Sequence, residues 1–249
     1  GTTGFPKGVM WRHEDFWRTL GGGIDFYTGE NLDEYDQSKQ AAQDGRMVTF
    51  PLSPLMHGGA QAGLLMHLFA GHLTILEPKF DAQRTWELID REGVQLIFMT
   101  GDAMARPLIE EFERAATTDK PYSGASLFAV SSSAAIFSPE VKERWIEALP
   151  NPVYTDSVGA SETGFQGMGM QDKTHISSDG PVVGLGPNSV ILDEDNNVLD
   201  LATNVGKIGR LGRGGSVPIG YYKDEKKSAE TFLVVDGMRI SVPGDFARI

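Results

Sequence analysis

Hydrophobic positions between Met47 and Asp156 follow two alternating periods. Short apolar runs predict strands at "MVTFPL", "HLTIL", "VQLIFM", "LFAVS" and "PVYTDS". Between them, apolar residues recur every three or four positions, which predicts helices at "AQAGLLMHLFAG", "DAQRTWELIDREG", "DAMARPLIEEFERAA" and "SPEVKERWIEAL". Strands separated by helices indicate βαβ units, so we expect an α/β fold with a mostly parallel sheet layered with helices.

Boundary residues support several of these elements. Asp81 stands where a helix N-cap is expected, and Ser138 followed by Pro139 has the same place before a later helix. Near the start of the chain, "HEDFWRTL" predicts a further helix. The acidic, weakly periodic stretch "DFYTGENLDEYDQSKQAAQDG" is expected to be an exposed insertion.

The amino-acid composition changes after Gly159, where glycine becomes frequent. "SVILDEDNNVLD" predicts a hairpin that turns at "DEDNN", and "FLVVDGMRISV" predicts one that turns at Asp236-Gly237. A short helix is expected around "KDEKKSAETF". We therefore predict an α/β core over residues 1–180 and a smaller, β-rich subdomain over residues 181–249.

Composition narrows the function classes. The chain has 249 residues and a net charge of −12, which argues against a general nucleic-acid surface. It contains no cysteine, so thiol catalysis and disulfides are excluded, and a cytoplasmic location is expected. The most apolar stretch, "GLLMHLFAGHLTIL", is too short to span a bilayer, and no signal peptide is visible. A start without methionine predicts a piece of a longer protein.

The opening "GTTGFPKGV" has the composition of a polyphosphate-binding loop. Glycines let a ligand approach the backbone, successive N–H groups favour anions, and Lys7 adds a mobile positive charge. It is not a P-loop, because Gly8 stands where that motif needs Ser or Thr. The alternative is a flexible surface loop with a solvated lysine.

Chemistry-bearing side chains follow the predicted strands of the sheet. His57 comes after the first strand, Ser131 to Ser133 after "LFAV", and Asp156, Ser161 and Glu162 after "PVYT". Ligands of parallel α/β sheets bind outside the carboxyl ends of the strands. This convergence favours a phosphate site over a plain surface loop.

These segments resemble the adenylate-forming superfamily, which includes acyl-CoA synthetases, peptide-synthetase adenylation domains and luciferases. Five of its motifs are matched in order across essentially the whole chain, by "GTTGFPKGV", "PLSPLMHGGA", "SVGASETG", "GRGGSVPIGYYKDEKKSAETF" and "RISVPGDFARI". The residues within these motifs are most similar to those of fatty-acid and steroid side-chain CoA ligases of the actinobacterial type. The family's small C-terminal domain is expected to lie beyond Ile249, so this chain resembles part of the large N-terminal domain and is expected to be inactive alone.

The resemblance implies a two-step reaction. A fatty or steroid side-chain carboxylic acid attacks the α-phosphorus of ATP to give an acyl-adenylate, and the thiol of coenzyme A then displaces AMP. ATP, Mg²⁺, CoA and a small carboxylic acid are the implied cofactors and partners. Two alternatives stay open: an adenylate former with a carrier-protein acceptor, and a non-catalytic fragment that binds nucleotide or acyl chain. The oligomeric state is not predicted.

The resemblance also implies roles for individual residues. The phosphate-binding residues would be Thr2, Thr3, Gly4 and Lys7. The catalytic residues would be Glu162, which also binds Mg²⁺, Ser161 at the α-phosphate, and His57 near the reacting carboxylate. The residues around adenine and ribose would be Ser133, Ala134, Asp156, Ser157, Val158, Gly159 and Asp245.

Each of these roles has a structural alternative. Ser161 and Glu162 could be a capping residue and a surface acid, Asp245 a turn residue, and His57 a packed or capping histidine. Gly159 could be a turn glycine. Val158 stands where the family usually has a tyrosine that stacks on adenine, so this chain lacks that aromatic platform.

Overall fold

The computed structural model describes residues 7–25, 28–171 and 182–249. The chain divides into two compact units. The α/β unit comprises residues 34–158 and 168–184, and the β-rich unit comprises residues 1–33, 159–167 and 185–249. The predicted domain boundary at residues 180 and 181 lies outside the described residues, so it stays a prediction.

The helices and strands of the described residues follow in chain order. The first part of the chain has β1 (Val9–Met10), α1 (His13–Leu20), α2 (Asp36–Asp44), β2 (Val48–Pro51), α3 (Gly58–Ala70), β3 (Leu73–Thr74), α4 (Ala82–Glu92) and β4 (Leu96–Met99). The middle part has α5 (Gly101–Ala116), β5 (Ala129–Ser133), α6 (Pro139–Ala148), β6 (Val153–Ala160), β7 (Gly164–Gln171) and β8 (Gly184–Leu185). The last part has β9 (Ser189–Leu192), β10 (Ile208–Arg213), β11 (Gly220–Tyr221), α7 (Glu225–Thr231), β12 (Phe232–Val235), β13 (Met238–Ser241) and β14 (Phe246–Arg248).

A seven-stranded sheet has the order β3-β2-β4-β5-β6-β7-β8. The pairs from β3 through β6 are all parallel. Because the connecting helices return the chain to the same edge each time, the carboxyl ends of β2, β4, β5 and β6 lie along one edge. The predicted α/β class with a mostly parallel sheet is confirmed.

The core of the α/β unit lies between this sheet and helices α4, α5 and α6. Alternate strand residues such as Ile97 and Val130 are fully buried, as are Trp86 and Trp145 from the helices. The two indole rings lie 5.6 Å apart, and each donates its N–H to a carbonyl of α5. Burying large aromatic side chains with their polar atoms satisfied stabilises the unit through the hydrophobic effect.

The β-rich unit is built on the antiparallel strand β10, which pairs with β9, β13 and β14. Strands β12 and β13 form the predicted hairpin at Asp236-Gly237. Both turn residues have positive φ, 50° and 77°, as a type I′ turn requires. Val9 and Met10 pair with Tyr221 and Gly220 in a separate two-stranded ribbon, which fixes the backbone that follows the opening loop.

Several sequence predictions need correction. Strand β7 was not predicted, whereas the predicted exposed insertion holds: it contains helix α2, which buries none of its residues. Strand β6 continues to Ala160, beyond the predicted "PVYTDS", so Val158 and Gly159 lie in the strand and not in a loop after it. Strand β5 likewise continues through Ser133. Pairing with neighbouring strands overrides the weak strand propensity of serine and glycine at these positions.

Candidate active site

Several predicted site residues of the α/β unit lie at or near the carboxyl edge of its parallel sheet. Ser133 and Ser157 are direct cross-strand neighbours on β5 and β6, so the structure brings these two together. Val158 follows and is half-buried. His57 is the N-cap residue of α3, where its side chain is exposed and makes no capping hydrogen bond. The alternative of a capping histidine is therefore not supported by the geometry.

The loop that follows β5 is held in an unusual backbone conformation. Ala134 has a φ of 65°, which is uncommon for a residue with a side chain. The carbonyl of Ile136 accepts a hydrogen bond from Asp102 N, and a Cβ on Gly101 would lie 2.3 Å from that same oxygen. The Asp102 carboxylate in turn accepts from Ser138 N. Glycine at 101 therefore permits the close approach that shapes the loop around Ala134.

Asp156 is paired with a lysine inside the protein. Its Oδ2 lies 2.7 Å from Lys142 Nζ, and the two side chains are 12% and 4% exposed. Lys142 comes from α6, and its ammonium also lies 5.0 Å from the centre of the Phe137 ring. A buried carboxylate needs such a cation, because desolvation strongly disfavours an isolated charge. This geometry gives Asp156 a structural role in holding β6, and contact with adenine stays a prediction.

In the β-rich unit, Ser161 and Glu162 occupy the turn between β6 and β7. Thr163 closes this turn: its N–H donates to the carbonyl of Ala160, and its hydroxyl accepts from Ala160 N. The indole of Trp11 donates to the carbonyl of Ser161, and the guanidinium of Arg213 donates to that of Thr163. Burial lowers the pKa of Arg213 to about 10, so the side chain stays charged at neutral pH. The turn is thus fixed from several sides.

Glu162 and Lys7 both contact Tyr221. The Tyr221 hydroxyl donates to Glu162 Oε1 at 2.8 Å, and Lys7 Nζ lies 5.4 Å from the centre of the Tyr221 ring. Burial, and then the hydrogen bond to Glu162, raise the pKa of Tyr221 to about 12, so the phenol remains a proton donor at neutral pH. The predicted phosphate lysine and the predicted metal ligand therefore share Tyr221 as a contact.

Two further predicted residues lie elsewhere in the β-rich unit. A Cβ on Gly159 would lie 2.5 Å from the carbonyl oxygen of Gly164, so the backbone of the neighbouring strand already requires glycine there. Asp245 is exposed just before β14, and its carbonyl accepts from Leu211 N. Its contact with ribose stays a prediction.

Thr2, Thr3 and Gly4, the other predicted phosphate-binding residues, lie outside the described residues. Sequence reasoning missed four residues that build the site. They are Trp11, Thr163, Arg213 and Tyr221. Each lies within a quoted motif or beside one, but a motif does not show which of its residues touch one another.

The donor set around Glu162 fits magnesium shared with a nucleotide. No group of three or more His, Cys, Asp or Glu side chains converges on a metal position within the described residues. Mg²⁺ is commonly held by one or two carboxylates together with substrate phosphates, rather than by a complete protein cage. Glu162 is a half-buried carboxylate whose partner Tyr221 also contacts Lys7, which matches that pattern. None of the helices in the described parts of the chain is both long and apolar enough to cross a membrane.

Close relatives cover the whole of this chain. A 3-oxocholest-4-en-26-oate–CoA ligase of Rhodococcus rhodochrous is 47% identical over 251 residues, covering 100% of this chain and 45% of the relative. A medium/long-chain-fatty-acid–CoA/3-oxocholest-4-en-26-oate–CoA ligase of Mycobacterium marinum is 48% identical over 250 residues, with 100% and 44% covered. The chain thus spans less than half the length of these curated relatives.

Solved structures share the fold at low sequence identity. The N-terminal subdomain of Klebsiella oxytoca NpsA, in complex with 3-hydroxyanthranilyl-AMSN, superimposes with a TM-score of 0.74 at 21% identity. That match covers 100% of this chain and 59% of the other. A long-chain-fatty-acid-CoA ligase from Archaeoglobus fulgidus gives 0.75 at 16% identity, with 98% and 47% covered. The AMP-binding enzyme family model matches residues 1–222, and the chain belongs to that family.

Proposed function

We propose that this chain is the nucleotide- and acid-binding part of an AMP-forming acyl-CoA ligase. A carboxylate oxygen attacks the α-phosphorus of ATP, the bond to the bridging oxygen breaks, and acyl-adenylate and pyrophosphate form. The thiol of CoA then attacks the acyl carbon and releases AMP. The observation that supports this most strongly is the contact of Tyr221 with both Lys7 and Glu162, in a chain 47% identical throughout to a curated CoA ligase.

Charge neutralisation is the main demand of the first step, since an anion attacks a polyanion. Lys7, with Thr2, Thr3 and Gly4, would hold the terminal phosphates. Ser161 would bind the α-phosphate from the turn that Trp11 and Thr163 fix. Glu162 would hold Mg²⁺, which would supply positive charge to the polyphosphate.

Other predicted residues would contact the rest of the nucleotide and the acid. Ser133, Ala134, Ser157, Val158 and Gly159 would border adenine, with Asp156 holding β6 from within. Asp245 would accept hydrogen bonds from the ribose hydroxyls, because a carboxylate can take two donors. His57 would lie near the reacting carboxylate.

We propose a fatty or steroid side-chain acid as the substrate and CoA as the acceptor. The support is that relatives nearly half identical to this chain are named for 3-oxocholest-4-en-26-oate, for medium- and long-chain fatty acids, and for CoA. A carrier-protein acceptor has no comparable support among those curated relatives.

Acid-dependent ATP–pyrophosphate exchange tests this function. The natural gene product that contains this chain is incubated with ATP, Mg²⁺ and labelled pyrophosphate. A 3-oxo steroid C26 acid or a long-chain fatty acid should support exchange, and the methyl ester of the same steroid acid should not, because it has no nucleophilic carboxylate. Added CoA should yield the thioester. The proposal would be contradicted if exchange proceeded equally without the acid, or if no acid supported exchange.

A further inference from the structure

Tyr221 is the one described side chain seen to contact both Lys7 and Glu162, although the motifs give it no role. Its hydroxyl donates to Glu162 Oε1 at 2.8 Å. The Lys7 ammonium lies 5.4 Å from its ring centre, within the range of a cation–π interaction. One buried phenol thus contacts a cation of the phosphate loop and a carboxylate 59 residues away in sequence.

The position of Tyr221 is itself fixed. The side chain is buried, and its ring lies 5.5 Å from that of Phe232. Its backbone pairs with Val9, two residues after Lys7, and its N–H donates to Ser228 Oγ. The strand that follows the phosphate loop therefore determines where the hydroxyl stands. A carboxylate that accepts a hydrogen bond from that hydroxyl is therefore held at a set position relative to Lys7.

We propose that Tyr221 is a positioning residue, which orients the Glu162 carboxylate for a divalent cation and sets its place relative to Lys7. Because a hydrogen bond to one carboxylate oxygen restricts rotation, the other oxygen is directed before the metal arrives. Partners of this kind tune metal affinity strongly. The inference rests on the proposed function, in which Glu162 binds Mg²⁺ together with ATP.

Calorimetric titration of ATP at a series of Mg²⁺ concentrations tests this role without any turnover. In Tyr221→Phe the ring and its contacts with Lys7 and Phe232 remain, and only the hydroxyl is lost. We expect the Mg²⁺ concentration for half-maximal ATP affinity to rise about 10-fold. ATP affinity at saturating Mg²⁺ should stay unchanged.

Two controls make the result specific. Tyr222→Phe removes the hydroxyl of the adjacent residue, whose side chain is 62% exposed, and should leave the Mg²⁺ midpoint as it is. In a Glu162→Gln background, adding Tyr221→Phe should have no further effect, because the carboxylate it orients is gone. If the Tyr221 hydroxyl had only a structural role, its loss would instead weaken ATP binding equally with and without the Glu162 carboxylate.

The outcomes separate this inference from the function on which it rests. An unchanged midpoint in Tyr221→Phe, or an equal loss with and without the Glu162 carboxylate, overturns the positioning role while the ligase proposal stands. Absence of Mg²⁺-dependent ATP binding in the unaltered protein overturns both.

Discussion

Replacing Lys142 by methionine is expected to lower the free energy of unfolding by about 3–5 kcal/mol. Lys142 Nζ and Asp156 Oδ2 are 2.7 Å apart, and both side chains are buried. Methionine fills much of the same volume but removes the cation, so the buried Asp156 carboxylate loses that attraction. Removing one partner of a buried pair is costly because the desolvation of the other charge is no longer offset.

Urea unfolding at neutral pH measures this change. Lys39→Met is the matched control, since Lys39 pairs with Asp36 at 3.6 Å with side chains 66% and 41% exposed. That variant should lose less than about 1 kcal/mol. The double variant Lys142→Met/Asp156→Leu should recover most of the loss, because neither charge is then buried. Equal effects of the two single substitutions would show that the buried pair does not hold β6.

Acidification should destabilise this protein through His67, and His67→Leu should remove that sensitivity. His67 lies in α3 with 7% of its surface exposed, and both ring nitrogens lack a hydrogen-bond partner within the described residues. Burial, and then the nearby His72, lower its pKa from the ordinary 6.5 to about 4. The unfolded chain therefore binds a proton near pH 6.5 that the folded protein accepts only near pH 4.

Proton binding to His67 determines the direction in which stability changes with pH. Stability is unaffected above pH 6.5 and falls as pH drops toward 4, because protonation favours the unfolded state. Between pH 7 and pH 4.5 this group should cost about 2 kcal/mol. Urea unfolding measures the free energy of unfolding at both pH values. The decrease in that free energy from pH 7 to pH 4.5 should be smaller by about 2 kcal/mol in His67→Leu than in the unaltered protein. His13→Leu, at an exposed histidine, should match the unaltered protein, and parallel pH dependence in all three would contradict the assignment.

Local signals predicted most of the fold. The predicted cap at Asp81 is confirmed, with its carboxylate accepting from Arg84 N, and helix α1 spans the residues of "HEDFWRTL". The hairpin at Asp236-Gly237 is confirmed by its positive φ angles. These elements depend on neighbours within a few residues, and sequence patterns report such neighbours well.

Long-range pairings were not predictable in the same way. The contact of Tyr221 with Glu162 joins residues far apart in sequence, and no spacing rule indicates it. Lys142 did leave a signal, because it lies three and four residues before the buried Trp145 and Ile146. A lysine on the apolar stripe of a helix predicts a buried acidic partner. His67 similarly shares the buried stripe of α3 with Ala60 and Gly63.

The path of one oxygen atom distinguishes activation through an acyl-adenylate from other routes. The acid is labelled with ¹⁸O in its carboxylate and supplied with ATP, Mg²⁺ and CoA to the natural gene product that contains this chain. Attack on the α-phosphorus places a carboxylate oxygen in the acyl–phosphate bridge, and the thiol then leaves that oxygen on AMP. Mass spectrometry should find one ¹⁸O in each AMP released. Unlabelled AMP, or label in inorganic phosphate or pyrophosphate, would contradict activation through an acyl-adenylate.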